Sequence, residues 1–198
     1  GKTLAYLLPI FQELEPGGAG PTSVVICPTR ELAIQVAGEA EKFGKHLGVR
    51  TVLAYGGTSS GSQKQALTDG CDLLVATPGR LLDHSERGKL LLSGCELLVI
   101  DEADRMLDMG FIPDIERIGK LVPFTRQTLF FTATMPPEIQ RIADTFLHNP
   151  VRVEVSKPAT TATTGRAHGH RLPGPGAHAA RGGHDRLHRV PRPARPGG

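Results

Sequence analysis

The sequence predicts an α/β protein with a doubly wound, mostly parallel sheet, followed by a disordered C-terminal tail. Two observations carry this expectation. Short apolar runs recur along the first three-quarters of the chain, and segments with three-to-four spacing of apolar residues separate them. Most of the runs are apolar on both faces, as strands become when helices cover a sheet on each side. The elements follow in order. LAYLLPIFQEL (4–14) reads as a first helix and SVVIC (23–27) as the first strand. LAIQVAGEAEKFGKHLG (32–48) has helical spacing, and RTVLAY (50–55) and DLLVA (72–76) are strands. ELLVI (96–100) is the next strand, and FIPDIERIGKLV (111–122) the next amphipathic helix. TLFFTA (128–133), the helix PEIQRIADTFL (137–147) and the strand VRVEV (151–155) complete the pattern. In such sheets chemistry gathers at the carboxyl ends of the strands.

The 198 residues suffice for one domain with a substantial core. Domain boundaries are expected at 1–157 for the folded part and 158–198 for the tail. No run of eighteen apolar residues occurs, so no membrane partner is expected. Cys27, Cys71 and Cys95 lie in apolar runs without CxxC spacing and read as core thiols of a reducing, cytoplasmic setting. The net charge of +3 hides an asymmetry. Residues 165–198 hold seven Arg and one Asp, and without them 16 bases face 19 acids. The folded part is therefore mildly acidic, and total charge is no argument for nucleic-acid binding.

The tail is compositionally foreign: 34 residues include eight Gly, seven Arg, five Pro and five His, with no aromatic. It cannot bury enough apolar surface to fold alone. Two readings stand, a basic arm that holds RNA phosphates and an out-of-frame translation of a GC-rich gene. The abrupt change after Thr164 favours the second.

Gly1-Lys2-Thr3 ahead of a helix matches the last three residues of GxxxxGK[ST], whose amides and Lys hold phosphates and whose hydroxyl meets magnesium. Three residues alone are a weak signal. The run ELLVI ending in Asp101 has the form of an apolar strand that closes on a magnesium-holding carboxylate, and Glu102 is placed to orient an attacking water. Acids at a helix N-terminus explain Glu102 and Asp104 equally well, but fit Asp101 poorly because it still belongs to the strand.

Further along, PTRELA (28–33), GG (56–57), TPGR (77–80), DEAD (101–104), MLDMGF (106–111) and TAT (132–134) stand in one order. This set resembles the DEAD-box ATP-dependent RNA helicases over about residues 1–155, with wording around RMLDMGFIPDIERI (105–118) and FLHNPVRVEV (146–155) closest to the bacterial RhlE-like subgroup. The resemblance implies a RecA-like P-loop NTPase domain, the first of two, acting with ATP and Mg2+ on RNA. It implies that Gly1, Lys2 and Thr3 bind nucleotide, with Lys2 also catalytic. Thr3 and Asp101 would hold magnesium and Glu102 would position the hydrolytic water. Asp104, Thr132 and Thr134 would couple the acids to the RNA-bound state, with Thr132 replacing the family's Ser and keeping its hydroxyl.

Residue types support an RNA side as well. Pro28, Thr29, Arg30, then Gly56 and Gly57, then Thr77, Pro78, Gly79 and Arg80 each follow a predicted strand. Arginines and hydroxyls bond phosphates, glycines allow close backbone approach, and none of these contacts reads bases. Each set is also ordinary turn or helix-start chemistry when taken singly. Phe111 reads as a core anchor of its helix, and Glu39, Glu41 and Lys42 as a solvated face.

The family's loop before Gly1 and its second RecA-like domain are not in the sequence, so the chain alone is expected to hydrolyse ATP slowly. Relatives that lack their arginine finger lose roughly 10³–10⁵ in rate. A non-catalytic RNA-binding or interaction fragment is the alternative reading, and another P-loop enzyme a third.

Overall fold

The computed structural model describes residues 2–57, 60–156 and 184–189. In chain order the elements are α1 (Lys2–Glu13), β1 (Ser23–Ile26), α2 (Arg30–Gly44), β2 (Thr51–Ala54), α3 (Ser60–Asp69), β3 (Leu73–Ala76) and α4 (Pro78–Glu86). They continue as β4 (Leu97–Ile100), α5 (Ala103–Asp108), α6 (Ile112–Leu121), β5 (Gln127–Thr132), α7 (Pro137–Phe146), β6 (Val151–Ser156) and β7 (His184–Arg189). The sheet order is β2-β3-β1-β4-β5-β7-β6. The first five strands are parallel, and β7 runs antiparallel to both β5 and β6.

Alternation along the strands builds two separate cores. Val24 and Ile26 of β1, with Leu98 and Ile100 of β4, face α4 to α7 on one side. Val25 and Val99 face the opposite side, where Tyr6, Leu7 and Ile10 of α1 and Ala33, Val36 and Ala37 of α2 cover them. The predicted doubly wound α/β architecture is what the chain adopts, and the three cysteines are free and buried.

Three features depart from the expectations. Helix α3 is polar, with Ala66 and Leu67 as its apolar contacts to the core, so its sequence lacks the stripe that announces a helix. Helix α4 begins inside TPGR: Thr77 is its extended N-cap and Pro78 its first residue, a position where the missing N–H costs nothing. Within the tail expected to be disordered, His184–Arg189 forms β7, filling a place between β5 and β6. The other tail residues beyond 156, and Gly1, lie outside the described residues.

The register positions the site. Ile26 stands level with Ala76 and Ile100, Ala76 with Ala54, and Ile100 with Phe130. The residues that follow, Cys27, Tyr55, Thr77 and Asp101, therefore emerge together at one edge of the sheet. Ladder bonds carry the alignment one residue further, with the Cys27 amide donating to Ala76, Thr77 to Ala54 and Asp101 to Ile26, at 2.9 to 3.0 Å.

Candidate nucleotide and RNA site

Asp101 closes β4 with its side chain 3 % exposed. Its Oδ2 accepts the Tyr6 hydroxyl of α1 at 2.9 Å, and its buried Oδ1 has no hydrogen-bond partner. Burial raises the carboxyl above its usual range and Glu102 adds to the rise, against the Tyr6 bond and the Lys2 charge. The same burial, with Asp101 and Glu102 beside it, pushes the Cys27 thiol up. Lys2 is exposed at the start of α1, and Thr3, on the same face one turn before Tyr6, acts on the Tyr6 hydroxyl. Candidate residues from two distant segments thus meet across the α1–β4 seam. Tyr6 was missed by sequence reasoning; its only signal was the three-residue spacing from Thr3, which puts both on one helix face.

Glu102 stands in the left-handed region, φ 53° and ψ 53°, as the N-cap of α5. A non-glycine residue there is strained by about 1–2 kcal/mol, and the kink turns Glu102 out of the strand, half-buried, next to Asp101. One turn on, Asp104 Oδ2 accepts both the amide and the hydroxyl of Thr134 at 3.1 Å. Thr132, buried at the end of β5, donates its hydroxyl to the Thr134 carbonyl at 2.6 Å. Asp104, Thr134 and Thr132, 30 residues apart in sequence, are one hydrogen-bonded group.

The second half of the edge lies over β1, β2 and β3. Pro28 is buried, and the Thr29 hydroxyl accepts the Leu32 amide at 3.2 Å as N-cap of α2, which leaves it engaged. Arg30 is exposed and its guanidinium lies 4.9 Å over the Tyr55 ring. Gly56 and Gly57 follow β2, and Gly57 has φ +85°, a conformation that disfavours any side chain. Thr77 makes no capping bond with its hydroxyl, and Gly79 is exposed with open space where a Cβ would stand. Arg80 differs from the expectation of a free phosphate contact. Its side chain is 13 % exposed, its Nε donates to the Tyr55 carbonyl at 3.0 Å, and its Nη1 stands 3.6 Å from Asp83. A cavity of about 400 Å³ opens here, lined by Gly56, Thr77, Gly79, Arg80, Asp83 and Phe111. Phe111 packs against the core, as expected, but one side of it also faces this cavity.

The family model described as DEAD/DEAH box helicase matches residues 1–142. The chain belongs to that family. As a DEAD/DEAH box helicase domain it has relatives in several kingdoms. It is 48% identical over 159 residues to DEAD-box ATP-dependent RNA helicase 40 of Oryza sativa subsp. japonica, covering 78% of this chain and 20% of that protein. It is also 48% identical over 162 residues to ATP-dependent RNA helicase DeaD of Escherichia coli K12, covering 81% and 26%. Plant and bacterial helicases match equally well, which supports the family and not a bacterial subgroup. Among solved structures, a DEAD box protein from Methanococcus jannaschii superposes with TM-score 0.69 at 38% identity, over 75% of this chain and 40% of that one. A hypothetical ATP-dependent RNA helicase from Sulfolobus tokodaii gives 0.66, also at 38%, over 75% and 43%. The chain spans about a fifth to three-tenths of the length of the curated relatives it matches. The five parallel strands of this DEAD/DEAH box domain reproduce the RecA-like arrangement of these solved structures.

Proposed function

We propose that this chain is the ATP- and RNA-binding first domain of an ATP-dependent RNA helicase. The observation that carries it is the carboxyl end of β4. There a buried carboxylate keeps one oxygen without a protein partner, beside α1 and a strained acid. A charge in that position costs stability unless a ligand completes it. Oxygen donors in small number fit Mg2+, which keeps several waters and binds through one or two carboxylates and substrate phosphates. Thr3 and Asp101 would hold the ion, and its chemistry would be to neutralise charge on the phosphates.

In this reading Gly1, Lys2 and Thr3 hold the nucleotide phosphates. Glu102, turned out of β4, accepts a hydrogen bond from the attacking water and orients it toward the γ-phosphate. Arg30, the Gly56–Gly57 turn and the amides around Thr77 to Arg80 hold the sugar-phosphate backbone of RNA, without reading its bases. Asp104, Thr132 and Thr134 join the two halves. The parent would use ATP hydrolysis for local duplex unwinding, with a second RecA-like domain closing over the same edge. Taken alone, the chain would turn ATP over slowly for want of that domain's arginines. The RhlE-like subgroup rests on the wording of residues 105–118 and 146–155, and a cytoplasmic location on three buried free thiols.

The test is equilibrium binding of ATP to the purified chain with and without Mg2+, and of labelled single-stranded RNA. Magnesium-dependent ATP affinity that Asp101→Asn abolishes supports the proposal. RNA binding with no magnesium-dependent ATP affinity would leave a non-catalytic RNA-binding fragment in its place.

A further inference from the structure

Tyr55 is the point where three segments of the sheet edge meet. Its carbonyl accepts two donors, the Arg80 Nε at 3.0 Å and the Gln63 Nε2 at 3.1 Å. Its ring lies under the Arg30 guanidinium. Its own chain continues directly into Gly56 and Gly57. Arg80 lies in the first turn of α4 after β3, Arg30 opens α2 after β1, and Tyr55 directly follows β2.

Gln63 itself is held. It comes from α3 and is 8 % exposed, with Oε1 3.4 Å from Nε2 of His84, which is 1 % exposed on α4. Burial moves the imidazole below its usual range, and Arg80 and Arg87 add to the fall against the pull of Asp83. With the Gln63 NH2 on the Tyr55 carbonyl, it is Oε1 that faces His84, and the contact is a hydrogen bond when Nε2 carries the proton. His84 and the Tyr55 carbonyl thus hold the two ends of one amide.

We propose that Gln63, oriented by His84, is a positioning residue for RNA binding, which fixes Tyr55 so that Arg30, the Gly56–Gly57 turn and Arg80 present one preformed surface. This rests on the RNA reading given above. Gln63 touches no RNA. It acts by holding the segment after β2 against the first turns of α2 and α4 before the ligand arrives, and the loss on its removal appears in RNA affinity and not in nucleotide affinity, since Lys2, Thr3 and Asp101 lie over other strands.

Three variants of the 198-residue chain test it by fluorescence anisotropy with a labelled single-stranded RNA and by ATP binding with Mg2+. Gln63→Leu removes the donor and is expected to weaken RNA binding about tenfold, with ATP affinity unchanged. Gln63→Glu keeps the shape but sets a carboxylate against a carbonyl. It weakens RNA binding comparably at pH 8, and regains affinity relative to wild type as pH falls and the neutral carboxyl donates to Tyr55. The groups facing position 63 are His84, Arg80 and Asp83 from α4, with Arg30 beyond the Tyr55 ring, so the wild-type pH profile is the reference. Arg30→Ala is the third variant and reports on the RNA surface itself.

RNA affinity within twofold of wild type for both Gln63 variants, with Arg30→Ala weakened, overturns the inference and leaves the RNA reading intact. Equal loss of RNA and ATP affinity in the Gln63 variants, or no recovery of Gln63→Glu at low pH, also overturns it, because a merely structural role would do the same. A wild-type chain that binds no RNA, or binds it equally after Arg30→Ala, defeats the RNA reading and this inference with it.

Discussion

Replacing Tyr6 by Phe removes one oxygen atom and tests the centre of the site. The Tyr6 hydroxyl is fully buried and donates to Asp101 Oδ2 at 2.9 Å, while Oδ1 is already without a partner. The variant takes the one side-chain donor, the Tyr6 hydroxyl, from a carboxylate that is 3 % exposed. The ring keeps its edge-on contact with Phe131, centroids 5.3 Å apart, so packing changes little. A hydrogen bond to a charged group is worth about 1.5–3 kcal/mol, and that is the expected loss in urea unfolding at pH 8 without nucleotide. Asp101→Asn has the opposite sign: the buried charge disappears, Tyr6 still donates to the amide oxygen, and the fold is expected to gain about 1 kcal/mol. In the double variant the Tyr6→Phe cost should shrink below 1 kcal/mol, because no charge remains to be abandoned. The pH dependence follows from sign. The Asp101 carboxyl is raised in the fold, so the wild type gains stability as pH falls through that raised value, a gain absent from Asp101→Asn. A Tyr6→Phe cost within 0.5 kcal/mol of zero, or costs that add without coupling, would refute the reasoning, with 0.5 kcal/mol taken as roughly the additivity error.

The remaining predictions concern the scaffold and the strained turn. Burial alone would raise the Asp72 carboxyl, but bonds from Arg50 and from the Arg50 and Gly17 amides outweigh it and hold the pKa at about 2. Because Arg50 is 37% exposed and solvent screens the pair, Asp72→Asn is expected to cost about 1–2 kcal/mol at pH 7; the difference fades as pH falls from about 4 toward 2, read by urea unfolding. Glu102→Gly relieves φ 53° and should add up to about 1 kcal/mol of stability while ATP turnover falls by 10²-fold or more; unchanged turnover would remove Glu102 from the chemistry. Gly119→Ala drives a Cβ to 2.6 Å from the Phe146 ring and is expected to destabilise by about 1–3 kcal/mol in thermal or urea unfolding.

Much of this molecule could be read in its residues because a covered parallel strand has a simple signature. The runs at β1, β3, β4 and β5 are buried at every position, and that double-sided burial is what continuous apolarity reports. Helices α6 and α7 were visible because they bury one stripe, Ile115 and Ile118, then Ile139, Ile142 and Phe146. Helix α3 was not, since it buries little. Site residues with charge or glycine chemistry were visible from their spacing after strands. The residues that hold them were not. Tyr6, Tyr55, Gln63 and His84 carry no pattern, because their roles arise from contacts 8 to 95 residues apart that only the assembled sheet creates. Arg80 shows the limit from the other side: its residue type announces a phosphate contact, but only the fold shows its Nε held by the Tyr55 carbonyl and its Nη1 near Asp83.

In the function proposed above, the edge also offers a route between the two ligands with little machinery. Arg30 opens α2 just beyond β1, and the Ile26 carbonyl at the end of β1 accepts the Asp101 amide at 3.0 Å. The proposed RNA and nucleotide halves are therefore one ladder step apart, about 4.8 Å. Strands packed on both faces do not bend to carry a signal, so the element that responds must lie outside the ladder. Asp104 is the candidate that meets this condition. It sits on the short helix α5 that Glu102 opens in a strained conformation, and its two bonds to Thr134 cross to the segment that leaves β5. A change at Glu102 that relaxes φ moves the first turn of α5, and with it the acceptor that holds Thr134 in place. Coupling through this pair requires only that the Asp104–Thr134 contact have a made and a broken state. Asp104→Ala, which leaves the Thr134 hydroxyl and amide without their acceptor, should then leave ATP and RNA affinities measured separately within about threefold of wild type. The factor by which each ligand strengthens the other should fall toward one.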